Sequence, residues 1–137
     1  GLSKLDGSLS AAVDSGLRVI FCAAFVNRTE LVPSDFQLTV SESLTELERL
    51  RNTYQNERVA IEPEPLSLPR ATDELIKALH ANRNRLMAMH LTYSEEFDRW
   101  ARKEFGHPAV VHLDKLGFLD NSFYFPNKIH LMTREFN

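Results

Sequence analysis

Arg83 and His90 are the two residues whose types and spacing most invite a chemical reading. They stand seven positions apart, and on a helix turning about 100° per residue they fall on one face. Placing Thr72–Leu91 on such a helix gathers Leu75, Ile76, Leu79, Leu86 and Met87 in the same sector. The expectation is therefore an apolar face with a polar notch, and an unpaired buried charge is costly. Three arrangements relieve that cost. Arg83 can lay its stem on the core and extend its head to solvent, with His90 bonded to a backbone carbonyl. The two can line a pocket for a small anion, Arg83 supplying a fork of donors and His90 a titratable ring. Or an acid on a partner can pair with Arg83.

Around the notch runs a window without an acid, from Glu74 to Glu95, that holds Lys77, His80, Asn82, Asn84 and Arg85. Basic residues interleaved with amides suit phosphate contacts, and Arg and Asn read base edges, so nucleic acid is a possible partner of residues 77–85. The catalytic inventory elsewhere is thin. Cys22 lies in an apolar run, where a thiol is normally inert. His107, His112 and Asp114 are close in sequence, but H-x-D alone is a weak metal pattern. The chain contains no glycine-rich phosphate loop, no G-x-S-x-G elbow and no H-E-x-x-H. The sequence thus selects no catalytic group, no metal set and no cofactor.

These residues have to be positioned by local structure. Residues 1–16 read as a flexible leader, and Leu17–Val26 as a buried strand of β-branched and aromatic residues. Phe36–Val40 alternates apolar and polar residues like a half-buried strand. Ser43 and Glu46 have capping-box spacing for a helix carrying Leu44, Leu47, Leu50 and Tyr54 on one stripe. Arg58–Ile61 suits a third strand, which the prolines of residues 62–69 should end. That proline-rich stretch reads as a linker dividing 17–137 into possible lobes of 17–62 and 70–137.

Beyond it, caps at Thr72 and at Thr92 with Glu95 predict two helices, the second stopping at Gly106 before Pro108. The second carries Tyr93, Phe97, Trp100, Ala101 and Phe105 as an aromatic stripe. A short helix over Pro108–Leu116 ends at Gly117, and residues 118–137 read as a hairpin around Pro126-Asn127-Lys128. The expected fold is α+β: a small mixed or antiparallel sheet with one packed helix, then helices and a hairpin in a winged-helix-like order.

Composition narrows the function. The 137 residues carry a net charge of −3 with 43% hydrophobic and 26% charged residues, which excludes a disordered chain and a globally basic one. The single cysteine forbids an internal disulfide and favours a reducing, cytoplasmic setting. The longest apolar run, Val19–Val26, is far short of a membrane span, so no membrane partner is expected. These features favour a non-enzymatic regulatory or adaptor module working by protein contact or self-association, with Trp100, Phe123 and Phe125 as interface candidates. The alternative is a small anionic-ligand-binding or enzymatic domain with its pocket at Arg83 and His90.

Overall fold

The computed structural model describes residues 3–28, 30 and 32–126. Within them the chain forms a mixed domain of helices and short parallel strands. Helix α1 (Ser3–Asp14) leads into strand β1 (Val19–Ala24), and a single turn of 3-10 helix (Ser34–Phe36) precedes α2 (Val40–Tyr54). Strand β2 (Val59–Glu64), helix α3 (Asp73–Ala81) and the two-residue strand β3 (Met87–Ala88) follow. Helices α4 (Glu95–Phe105) and α5 (Ala109–Lys115) then lead to strand β4 (Phe123–Tyr124).

β1 pairs with β2 in parallel, Val19 opposite Val59 and Ala24 opposite Glu64. β3 pairs in parallel with β4. A parallel bridge between Ser67 and His90, with the His90 N–H donating to the Leu66 carbonyl at 2.9 Å, joins the two pairs. Parallel strands need a crossover between them, and α2, α3 and the α4–α5 pair supply the crossovers.

Alternation along the strands divides the sheet into two faces. Phe21, Ala23 and Ile61 sit in one core with Leu47 and Leu50 of α2, Leu75, Ile76 and Leu79 of α3, and Phe97 and Ala101 of α4. Ile20, Cys22 and Ala24 of β1 occupy the opposite face, together with Glu62 and Glu64 of β2.

Several elements depart from the sequence expectations. The leader is a helix: Leu9 of α1 is fully buried in the core, and Asp6 accepts from Arg49 of α2 at 2.9 Å and from the Tyr54 hydroxyl. α2 starts at Thr39, not Ser43, because Thr39 and Glu42 form the same box four residues earlier. The strand expected over 36–40 is therefore a helix entry.

β2 runs through Pro63. The flanking bonds, Val19 N–H to Arg58 and Phe25 N–H to Glu64, set the even-numbered residues of β2 to bond β1, so the missing Pro63 donor faces away from that pairing. The expected helix over 72–91 is half that length. α3 stops at Ala81 with Asn82 as its cap, and Met87–Ala88 is a strand. Winged-helix order is absent among the described residues, since β4 pairs in parallel with β3 where a hairpin was expected. Residues 127–137 of that expected hairpin lie outside the described residues.

Because Leu9 is part of the core, Leu9→Ala should lower the unfolding free energy by about 2–4 kcal/mol in denaturant titrations. A change within a few tenths of a kcal/mol would mean that residues 3–14 do behave as a loose leader.

Candidate functional site at the carboxyl ends of the strands

Parallel pairing brings the carboxyl ends of the strands to one end of the sheet, where α/β proteins place their ligands. Two groups capable of acid–base work meet there. His90, two residues beyond β3, places Nε2 3.4 Å from Oε1 of Glu64, the last residue of β2. The Glu64 side chain is 12% exposed and that of His90 37%, so the carboxylate is sheltered and the ring reaches solvent.

Burial raises the affinity of Glu64 for its proton, and the nearby His90 offsets part of that effect. On the same face Cys22 is pushed up to about 11, first by burial and then by the carboxylates of Glu64 and Glu62. A thiol so placed stays protonated at neutral pH and is no nucleophile.

The backbone at this end is held tightly. Asn27, past the end of β1, exchanges two side-chain bonds of 2.8 Å with Thr72, the cap of α3. Arg28 donates to the Ala71 carbonyl at 3.2 Å and lies over the Trp100 ring at 5.7 Å. Beyond His90, Thr92 adopts φ 46°, a left-handed conformation that a β-branched residue enters at a cost of order 1–2 kcal/mol. Thr92 is buried, and the turn leaves the next residue, Tyr93, 40% exposed with its ring against Phe97. A cleft of about 640 Å³ opens beside β1 at this end, lined by Asn27, Gln37, Thr39, Glu42 and Glu74 among others.

The residues singled out from sequence do not converge here as a group. Arg83 and His90 flank β3 on opposite sides, Arg83 before Met87 and His90 after Ala88. Arg83 instead joins the end of α3 to the entry of β4. Its Nε donates to Ser122 Oγ at 2.7 Å, Nη1 donates to the His80 carbonyl, and Nη2 lies 3.4 Å from Asp120. The notch inferred from a helical wheel dissolves because the helix ends before Arg83.

Lys77 is exposed on α3, while Asn82, Asn84 and Arg85 belong to the turn after it, so residues 77–85 share no single helical face. Asn82 closes α3 through a bond from its Nδ2 to the Ala78 carbonyl at 2.8 Å. The N–H groups of Asn84 and Arg85 donate to Glu62. Trp100 packs edge-on against Phe105, and Phe123 stacks on Phe125 at 5.0 Å; all three interface candidates pack against the core. Glu64 was missed because it falls in the stretch read as a proline-rich linker. The alternation Ala60, Glu62, Glu64 on one strand face was the available signal.

No family model matches the chain, and no curated protein is similar enough to match it. Solved structures do share its fold. Atrazine chlorohydrolase from Arthrobacter aurescens TC1, complexed with zinc, superposes with a TM-score of 0.79 at 19% identity over 90% of this chain and 29% of its own. Guanine deaminase from E. coli gives 0.79 at 15% identity over 98% of this chain and 32% of its own. An adenosine deaminase from Xanthomonas campestris with bound zinc gives 0.75 at 12% identity over 88% and 27%. These neighbours are amidohydrolase-fold chains, and the present chain spans about three tenths of their length. The expectation of a non-enzymatic regulatory or adaptor module is overturned by this finding, since the chains that share the fold are hydrolases and deaminases.

Two of those neighbours carry zinc, whose catalytic sites take three protein ligands. The described residues contain no cluster of three or more His, Cys, Asp or Glu side chains able to hold a metal ion. His90 and Glu64 form a pair, and Cys22 beside them holds its proton, so these residues do not fit a complete zinc site. No helix among the described residues is long and apolar enough to cross a membrane.

The raised pKa of Glu64 has a definite sign in the stability. The folded protein holds this proton more tightly than the unfolded chain, so the contribution is favourable below pH 4.5 and declines as pH rises through the folded value. Glu64→Gln, neutral at every pH, should gain stability relative to the parent as pH rises from 4 to 7 in urea titrations. A difference independent of pH would contradict this account of the carboxylate.

Proposed function

We propose that the chain forms part of a hydrolytic enzyme acting on a nitrogen heterocycle, with its reacting end at the carboxyl ends of the strands. The observation that carries the reading is the His90–Glu64 pair at the end of a parallel sheet whose fold is shared by triazine-hydrolysing and nucleobase-deaminating proteins. Hydrolysis of such a substrate forms a bond between water oxygen and a ring carbon and breaks the bond from that carbon to an amine or halide. One proton must leave the attacking water, and an amine leaving group must gain one.

A carboxyl group with raised proton affinity beside an exposed imidazole suits that exchange, because general acid–base catalysis works best with pKa values moved toward the working pH. In this reading His90 touches the substrate and Glu64, more sheltered, exchanges the proton with it. The clamp between Asn27 and Thr72 and the left-handed turn at Thr92 hold the surrounding loops in place, as a preorganised site requires. The enzymatic half of the alternative inferred from sequence is kept. Its pocket is moved from Arg83 to the His90–Glu64 pair.

Incubating the protein with guanine, adenosine and atrazine, with and without added zinc, and measuring released ammonia or chloride tests the reading. Turnover of at least one substrate is expected, with His90→Ala reducing it by about 100-fold or more and Glu64→Gln by a smaller factor. No release from any of the three, or full activity in His90→Ala, would overturn it.

A further inference from the structure

The opposite end of the sheet carries different chemistry. Arg18 precedes β1, Arg58 precedes β2, and Arg85 stands before β3. Parallel pairing gathers these three positions at the amino ends of neighbouring strands, and together they line a cleft of about 300 Å³. Asn56 and Glu57 form part of its wall, and Ile20 is an apolar contribution, 48% exposed. Three guanidinium groups against the one carboxylate of Glu57 leave this small space with two net positive charges, in a chain whose net charge is −3.

Arg58 spends one donor on the Gly16 carbonyl at 2.8 Å, and none of the three arginines forms an ion pair with any described residue. Among the other described arginines, Arg28, Arg49, Arg51, Arg83 and Arg102 each pair with an acid, while Arg70 and Arg99, which stand apart from one another in the sequence, pair with none of the described residues. Like charges crowded into one cleft repel unless an anion neutralises them.

Two features fix the shape of the cluster. The N–H groups of Arg58 and Val59 both donate to the Asn56 side chain at 2.8 and 2.9 Å, which sets the entry of β2. The N–H of Arg85 donates to the buried Glu62 carboxylate at 3.1 Å, which sets the start of β3. The backbone beneath two of the arginines is therefore anchored, and apart from the one Arg58 donor bonded to Gly16 their guanidinium groups form no ion pair with a described residue. Arginine forks match the oxygens of a tetrahedral oxyanion, with charge-assisted bonds stronger than neutral ones.

From this geometry we infer that the cleft between Arg18, Arg58 and Arg85 binds a phosphate dianion, either free or as a small phosphate monoester whose organic part rests on Ile20. The site lies at the end of the sheet away from His90 and Glu64, so it is a separate binding site and stands whether or not the enzymatic reading holds.

Titrating the protein with inorganic phosphate and with phenyl phosphate at constant ionic strength, while following the arginine Nε–H signals by NMR, tests the inference. Saturable shifts of Arg18, Arg58 and Arg85 are expected. Tighter binding of phenyl phosphate would identify a monoester, and equal binding the free ion. Arg18→Gln combined with Arg85→Gln, both on exposed side chains, should weaken binding at least tenfold with an unchanged circular dichroism spectrum. Arg99→Gln combined with Lys103→Gln, both exposed on α4, removes the same two charges elsewhere and should leave it unchanged. Linear, unsaturable shifts, or an equal loss in that α4 variant, would show that only the general charge of the surface is sensed and would overturn the site.

Discussion

The buried carboxylate of Glu62 is the interaction on which most of this structure depends. At 1% exposure it is cut off from water, and such a charge persists only when its oxygens are bonded. The N–H groups of Asn84 and Arg85 supply bonds of 3.0 and 3.1 Å, and Arg51 of α2 stands 3.7 Å away. Arg51 in turn donates to the carbonyls of Ile61 and Asn82. One side chain of β2 thereby ties together α2, the turn that ends α3 and the entry to β3. The placement of His90 beside Glu64 follows from it, since the start of β3 is set by the same strand that carries Glu64 at its end.

Much of the local structure was legible because it rests on short-range chemistry. The strand over Val19–Ala24, the cap at Thr72, the left-handed stop at Gly106 and the short helix ending before Gly117 all announce themselves within a few residues. The failures share a different cause. A two-residue strand such as Met87–Ala88 has no period of its own, so its apolar residues were borrowed by the helix before it. Ser43 and Glu46 imitate a cap that Thr39 and Glu42 form in fact. Pro63 looks like a strand breaker until the direction of its missing N–H is known, and that depends on which neighbour lies on which side. The His90–Glu64 pair was invisible for the same reason, because its members meet only through the order in which strands lie side by side.

The two ends of the sheet are chemically unlike. At the carboxyl ends an acid and an imidazole share a sheltered corner, surrounded by loops clamped through Asn27, Arg28 and Thr72. At the amino ends permanent positive charges face solvent over an anchored backbone. Parallel strands make this segregation possible, since each strand contributes its first residues to one end and its last to the other. An antiparallel sheet of the same sequence would have mixed the two sets.

β1 remains the least protected element. Its sequence, VIFCAA, carries no charge and no proline, and among the described residues it pairs only through the edge that faces β2. Ile20 within β1 and Leu17 just before it are both largely exposed. Natural sheets blunt such edges with lysine, proline or a bulge, and this one has none of those devices. The practical result concerns handling: an uncharged strand edge lies open between the two clusters of charge, with Val19 and Ile20 lining the arginine cleft and Cys22 close to Glu62 and Glu64. A strand laid against that edge, whether from the same polypeptide or another, would satisfy its open N–H and C=O groups.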